Sequence, residues 1–296
     1  MLTGGQGFVG RHVRAMLGGE LLAGPNGDAV DVRQADAVTE AVARIRPERV
    51  LHLAARSSVR SSQDDAATTY AVNFGGTYNL LRALEAARFR GRLLYVGSGV
   101  VYGDDQPQRL PFAEDSPLHP ATPYAASKLA AEALCRQWSR TSAFEIVMAR
   151  PFNHIGTGQS RHYAVADFAA QIVEIRHGRR PPVVTAGRVD VSRDFTDVRD
   201  VVRAYELLLA RGTHGEVYNV CAGHGRRLDA IVAALAALAG VDVQVRTDPT
   251  RVRPGDAAVL CGDPGRLARA TGWRPRIPWE QTLREILRDW EARSGE

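Results

Sequence analysis

Four glycines in the first ten residues restrict how this chain can begin. Met1-Leu-Thr-Gly4-Gly-Gln-Gly7-Phe-Val-Gly10 places Gly at intervals of three, and Arg11-His-Val-Arg-Ala-Met-Leu17 follows at helical period. Glycines at a strand-to-helix turn let backbone approach a pyrophosphate, which then sits on the helix N-terminus. The plainer reading of such a cluster is an ordinary turn. Only Met1, Leu2 and Thr3 precede Gly4, so the first strand is either very short or starts upstream of this Met.

The segments that follow alternate between two periodicities, which predicts a parallel sheet with crossover helices. Helices are expected over Val38–Ile45, Tyr70–Ala87 and Tyr124–Arg140, and strands over Arg49–Ala55, Gly91–Val96 and Phe144–Ala149. Ligands in such sheets bind at the carboxyl ends of strands. Gly4, Ala54, Ala55 and Ser98 fall at such ends, and small residues there leave room for a flat ligand. Beyond Arg150 the texture changes. Arg150–Gln159 reads as a loop and Ala164–His177 as a helix. Arg193–Asp200 leads into a helix over Val201–Ala210, then a strand follows over Glu216–Cys221. Helices over Leu228–Ala239 and Trp279–Arg293 complete a smaller, interleaved half. The expected division is 1–152, with returns near 187–222, against 153–186 and 223–296.

Composition narrows the function. Apolar content is 45% and charged content 24%, ordinary for a water-soluble globular domain. No apolar run reaches the length of a membrane span; Ala230–Leu238, closed by Gly240, reads as a buried helix. Cys135, Cys221 and Cys261 lie far apart, which disfavours a disulfide framework or a thiolate metal site and fits a reducing cytoplasm. The net charge of +5 is spread along the chain, pointing to small anionic ligands rather than nucleic acid.

Of 38 basic residues, Lys128 is the single lysine. An ammonium is a compact point charge on a flexible stem, whereas guanidinium is planar and permanently charged. Pro123-Tyr124-Ala-Ala-Ser-Lys128 opens a helix, so Tyr124 and Lys128, four apart, share a face. A cation beside the phenol favours phenolate and predicts a lowered pKa for Tyr124, suiting it to acid–base work. The bland alternative is a surface helix carrying both by chance.

With these residues in view, the chain resembles the extended short-chain dehydrogenase/reductases that act on nucleotide sugars. The resemblance runs through Thr3-Gly4-x-x-Gly7-Phe8-x-Gly10, His52-Leu-Ala-Ala55, Asn73-x-x-Gly76-Thr-x-Asn79, Ser98, Tyr124-x-x-x-Lys128 and Arg193-Asp-Phe. Arg150-Pro-Phe-Asn-His-Ile-Gly-x-Gly-Gln159 is narrower and is similar to the GDP-mannose 4,6-dehydratase group, more closely to the GDP-6-deoxy-4-keto-mannose reductases. The resemblance implies a Rossmann-type doubly wound α/β sheet with a C-terminal substrate domain, and NADPH or NADH as cofactor. It implies Ser98, Tyr124 and Lys128 as catalytic residues. Cofactor contacts carried over are Gly4, Gln6, Gly7, Phe8, Val9, Asp31, Val32, Leu53, Ala54, Ala55, Asn73, Tyr124 and Lys128, with Asp31 and Val32 at the adenine. Ser58, Asn153, Arg193, Arg253 and Asp256 are the implied nucleotide-sugar contacts, and no metal is implied. Arginine forks match phosphate oxygens, although solvated surface charge is the commoner fate of arginine in so Arg-rich a chain. The resemblance also implies a homodimer through the helices Tyr70–Ala87 and Tyr124–Arg140, with Leu134 and Trp138 as candidate contacts.

The same motifs serve several reactions. Dehydration needs further proton carriers, which the dehydratases place directly after the catalytic serine; here Gly99 and Val100 stand there, and Asp104 and Asp105 come later. This argues against dehydration more strongly than it argues for reduction; reduction of a C4 ketone is the favoured expectation and 4-epimerisation the alternative, which the catalytic residues do not separate. A redox-dead dinucleotide-binding regulator is the non-enzymatic reading, disfavoured by retention of Ser98, Tyr124 and Lys128. The window Glu20–Asp28 contains no arginine, so either nicotinamide cofactor is expected to bind.

Overall fold

The computed structural model describes residues 1–57, 59–103, 107–252 and 258–294. Strand β1 (Leu2–Thr3) turns through the glycines into α1 (Phe8–Leu17), and α2 (Ala35–Ile45) leads to β2 (Arg49–His52). Next come α3 (Val59–Asp64), α4 (Ala66–Tyr70), a π turn (Ala71–Gly75) and α5 (Gly76–Ala86), then β3 (Arg92–Val96), α6 (Pro123–Ser139) and β4 (Glu145–Pro151). The second half contains β5 (Asn153–Ile155), α7 (Ala164–Arg176), β6 (Val183–Ala186), β7 (Ser192–Asp197), α8 (Val198–Arg211) and β8 (Val217–Val220). It ends with β9 (Gly225–Arg227), α9 (Leu228–Ala239), β10 (Gln244–Thr247), β11 (Val259–Leu260), α10 (Gly265–Thr271) and α11 (Trp279–Ser294).

The main sheet has five parallel strands in the order β1-β2-β3-β4-β8. Its strands are buried runs because both faces are covered. On one face Val38, Leu80, Leu84 and Ala131 from α2, α5 and α6 pack on Val50, Leu93 and Ile146. On the other, Val13, Val201, Tyr205 and Leu208 from α1 and α8 pack on Leu51, Leu94 and Val147. Beyond β1 the sheet is vestigial, reduced to the bridges Leu2–Leu21 and Ala23–Ala29. In this chain β1 spans Leu2–Thr3, and Leu2 pairs on both sides.

The second half builds its own core from Phe168, Ile172, Ile231, Leu235, Leu283 and Ile286 of α7, α9 and α11. Its sheet orders β11-β7-β5, with β9 antiparallel to β7. Packing draws the return to the first core more widely than residues 187–222, since Leu267 of α10 and Trp273 also lie there.

Three local differences from the sequence expectation have physical causes. The strand expected over Arg49–Ala55 ends at His52, because the Ala54 N–H donates to the Thr3 hydroxyl and the Arg56 N–H to Asn73 Oδ1 rather than to ladder carbonyls. The helix expected from Tyr70 begins at Ala66 and is interrupted by the π turn, a feature often found at functional sites. The loop expected over Arg150–Gln159 contains the end of β4 and all of β5.

Candidate active site

Ser98 follows β3 and caps a 3-10 turn over Gly99–Tyr102, its Oγ accepting from the Val100 N–H at 3.4 Å. Gly99 is obligatory here, since a Cβ would lie 2.8 Å from the Phe152 ring. Helix α6 is started by Thr122, whose Oγ1 accepts from Ala125 N–H at 3.2 Å, and by Pro123 in its first turn. This start brings Tyr124 close enough to Ser98 for the serine hydroxyl to favour the phenolate. Tyr124 is only 8% exposed. Burial pushes its phenol up to about 12, the Ser98 hydroxyl opposing this and the Tyr163 phenol adding to it.

The lowered phenol pKa expected from Lys128 is therefore not what the structure gives. The two residues share a helix face, but Lys128 Nζ donates to the Val96 carbonyl at 2.7 Å and lies 5.2 Å above the Tyr95 ring. Burial pulls its own pKa down to about 8. The ammonium thus anchors α6 to the end of β3, while the phenol remains a firmly protonated donor.

A buried chain of polar groups ties the glycine turn to this helix. Thr3 Oγ1 meets His52 Nδ1 at 2.7 Å, His52 Nε2 meets Thr77 Oγ1 at 3.0 Å, and the Thr77 hydroxyl donates to the Asn73 carbonyl at 2.6 Å. Because Thr77 spends its one proton on Asn73, His52 must donate from Nε2 and accept at Nδ1. That tautomer is neutral, in keeping with burial and nearby Lys128 pulling His52 down to about 3. Asn73 Nδ2 continues the chain to Ser127 Oγ at 2.9 Å, one turn from Tyr124. A second network holds the Ser98 turn against α6. Arg150 binds Glu132 of α6 through Nε and Nη2 at 2.9 and 2.7 Å, and donates from Nη1 to the Tyr102 hydroxyl at 2.8 Å.

At the glycine turn, a cavity of about 230 Å³ is lined by Gly4, Gln6, Gly7, Leu21, Asp31, Val32 and Ala54, among others. Gly4 sits at φ 67°, and a Cβ on it would lie 2.7 Å from the Ala54 nitrogen. Gly7 caps α1 in extended conformation without a side-chain cap, and the first turn of α1 holds no acid. Backbone N–H groups there can meet an anion. Phe8 and Val9 form that first turn, while Leu53 packs against the core beneath α1. Asp31 pairs with Arg33, and Val32 is buried against Gly76. Ala55 lies on the loop after β2, outside the cavity lining. The end of the vestigial strand is reached by Arg44 of α2, bonded to the Ala23 carbonyl at 2.5 Å; the local window of sequence could not reveal it.

Among the residues implied for the sugar nucleotide, Asn153 opens β5 and carries a buried Nδ2 without a hydrogen-bond partner among the described residues. Arg193 lies on β7, two residues before Phe195, the register partner of Asn153. Ser58, Arg253 and Asp256 lie outside the described residues, as do Asp104 and Asp105. Two residues near the site had no motif to announce them: Tyr163, whose hydroxyl meets Ser57 Oγ at 3.0 Å, and Arg226 of β9. His154 bonds the Phe152 carbonyl at 3.0 Å and stacks on Phe8, a structural use of a histidine. No group of three or more His, Cys, Asp or Glu among the described residues could hold a metal ion.

A twisted parallel sheet whose strand ends gather a glycine turn, a serine hydroxyl, a buried phenol and a lysine defines an extended short-chain dehydrogenase/reductase. The model of one family, described as GDP-mannose 4,6 dehydratase, matches residues 28–286, and the chain belongs to that family. Among its relatives is GDP-6-deoxy-D-mannose reductase of Pseudomonas aeruginosa, 41% identical over 100% of this chain and 98% of that protein. The solved structure of RMD from Pseudomonas aeruginosa complexed with NADPH superposes with a TM-score of 0.92 at 41% identity, covering 99% of both chains. UDP-glucose 4-epimerase from Thermus thermophilus, solved in complex with NAD, superposes with a TM-score of 0.84 at 30% identity over 98% of this chain and 97% of that one.

Proposed function

We propose that this enzyme reduces the C4 ketone of a GDP-linked 4-keto-6-deoxy-hexose, using NADPH or NADH. One observation carries the choice of reaction: the two positions directly after Ser98 are Gly99 and Val100, neither of which can transfer a proton, so Ser98 and Tyr124 are the proton-carrying groups proposed here. Dehydration needs more than that. The same residues could serve 4-epimerisation, and the 41% identity to a reductase favours reduction. The 41% identity to a GDP-6-deoxy-D-mannose reductase supports the GDP-linked substrate.

Bound cofactor supplies a hydride to the ketone carbon. The cavity at Gly4, Gln6, Gly7 and Ala54 and the uncapped start of α1 suit its pyrophosphate, with Phe8, Val9, Leu53, Ala55 and Asn73 alongside and Asp31 and Val32 at its adenine. As negative charge grows on the ketone oxygen, Ser98 donates a hydrogen bond to it and Tyr124 transfers its proton, completing the hydroxyl. Lys128, charged below about pH 8, can grip the cofactor ribose. Asn153 and Arg193 hold the sugar and its diphosphate, with Ser58, Arg253 and Asp256 the remaining proposed contacts.

We further read the protein as a cytoplasmic homodimer. All three cysteines are free and buried, which suits a reducing compartment, and no helix among the described residues is long and apolar enough to cross a membrane. Leu134 and Trp138 partly pack inward against the first core. The exposed face is instead a stripe of Tyr70, Phe74 and Tyr78, four residues apart, along the α4–α5 helix. Sedimentation at micromolar concentration tests the dimer, and Phe74→Glu should yield monomers.

The functional test follows the absorbance of reduced nicotinamide with a GDP-4-keto-6-deoxy-hexose. Stoichiometric loss is expected. Sugar interconversion without net consumption would establish an epimerase instead.

A further inference from the structure

Strands β7 and β9 are antiparallel, and their register sets Arg193 directly opposite Arg226. Opposed residues in such a pair have Cβ atoms roughly 4.5–5.5 Å apart, and like charges so placed repel. Nothing on β9 relieves the repulsion. The Nε of Arg226 is buried and has no hydrogen-bond partner among the described residues. Its guanidinium carbon lies 4.2 Å from the centre of the Trp279 ring, which fixes the plane of the fork without satisfying its N–H groups. Asp194, the carboxylate whose charge Arg226 feels, is already committed to the N–H groups of Ala222 and Gly223 at 2.7 and 2.9 Å. A guanidinium whose Nε is buried without a partner is costly to keep unless an anion arrives to meet it.

The position of this pair indicates which anion. Alternation puts Arg193 and Phe195 on one face of β7, and Asn153 is the register partner of Phe195. Asn153 directly follows Phe152, whose ring packs on Gly99 beside Ser98. The row Asn153, Arg193, Arg226 therefore runs from the segment that follows Phe152 along β7 into the second half. A sugar over Tyr124 would leave its diphosphate along that row.

We infer that Arg226, backed by Trp279, is a second arginine ligand of the diphosphate, closing on it opposite Arg193. This rests on the sugar-nucleotide reading above. Such a clamp recognises phosphate charge and not the base.

Calorimetric titration of the full-length protein with GDP and with guanosine tests it, comparing wild type, R193Q, R226Q and R226K, with NADPH titrated in parallel. Arg226→Gln should weaken GDP by about tenfold to a hundredfold, the range for a charge-assisted hydrogen bond, while guanosine and NADPH bind as before. Arg226→Lys should recover part of the loss, keeping the charge without the fork, and it serves as the decisive arm if Arg226→Gln fails to fold. Equal losses for GDP and guanosine would make Arg226 merely structural and overturn the inference. Unchanged GDP affinity in R226Q, with loss in R193Q, would overturn it too while leaving the sugar-nucleotide reading intact. Failure of wild type to bind GDP, with NADPH binding normal, would remove the GDP-sugar reading itself and the clamp with it.

Discussion

Lys128 Nζ donates to the carbonyl of Val96 at 2.7 Å, so the one lysine of the chain ties α6 to the strand that Ser98 follows. The same burial that makes this bond strong pulls the amine down to about 8, while it pushes the Tyr124 phenol up to about 12. The two groups therefore titrate in opposite directions from their ordinary values. The ammonium exists below about 8 and the protonated phenol throughout the working range.

The pH dependence of reduction follows. Transfer from Tyr124 needs the phenol protonated and the amine charged, a condition met below about pH 8 and lost above it as Lys128 deprotonates. The rate should be flat through neutrality and fall about tenfold per pH unit on the alkaline side. Arginine stays protonated over this range, so Lys128→Arg should be slower but should lack the alkaline limb. A limb retained in that variant would assign it to another group. Stopped-flow oxidation of NADPH across pH 6 to 10 measures it.

Removing the donor tests the chemistry directly. Tyr124→Phe keeps the ring and the packing of a residue only 8% exposed but deletes the proton, and should cost on the order of 10²–10⁴ in kcat with KM nearly unchanged. Ser98→Ala removes both the hydrogen bond to the ketone oxygen and the cap on Val100 N–H, and should cost on the order of 10²–10³. An unchanged rate in Tyr124→Phe would return the redox-dead regulator to consideration.

Much of this was legible in the sequence because it depends on local chemistry. The glycine spacing, the Tyr124–Lys128 pair and the strand-end position of Ser98 each follow from periodicity and propensity, and the structure brings them to one edge of one sheet. What escaped depends on partners distant in sequence. The direction of the Lys128 side chain is decided by a carbonyl 32 residues earlier, and the neutral tautomer of His52 by Thr3 and Thr77. Strand β9 is three residues long, too short for a period-2 signal, so the pairing of Arg226 with Arg193 could not be seen. Helix position alone likewise could not say that Leu134 and Trp138 partly pack against the first core while Phe74 stays exposed.

The glycine turn makes a separable prediction. Gly4 lies at φ 67°, and a Cβ there would come within 2.7 Å of the Ala54 nitrogen, whose N–H bonds Thr3. Gly4→Ala should therefore push β1 away from the end of β2 and weaken NADPH binding sharply. Gly7 is different, since the nearest atom to its Cβ would be the Gly4 carbonyl oxygen at 3.3 Å. Gly7→Ala should fold nearly normally yet lose affinity, because the methyl would occupy space at the helix start where the phosphates approach. Melting temperature with and without NADPH separates the two effects.

The buried pair Arg150–Glu132 gives the clearest stability prediction. Both side chains are at most 2% exposed, and Arg150 also serves the Tyr102 hydroxyl and the Glu114 carbonyl. Arg150→Met alone leaves Glu132 buried with only the half-exposed Arg136, and should cost about 3–5 kcal/mol. Replacing both partners by apolar residues of similar volume removes the uncompensated charge, so Arg150→Met with Glu132→Leu should recover much of that loss. Activity should not recover in parallel. The pair spans α6, which carries Tyr124, and β4, while Tyr102 carries the contact to the turn that begins at Ser98; apolar packing can replace its burial energy but not the hydrogen bond to Tyr102. Denaturant midpoints and kcat measured on the same three proteins separate the two roles, and a double variant restored in both would mean that the network contributes stability alone.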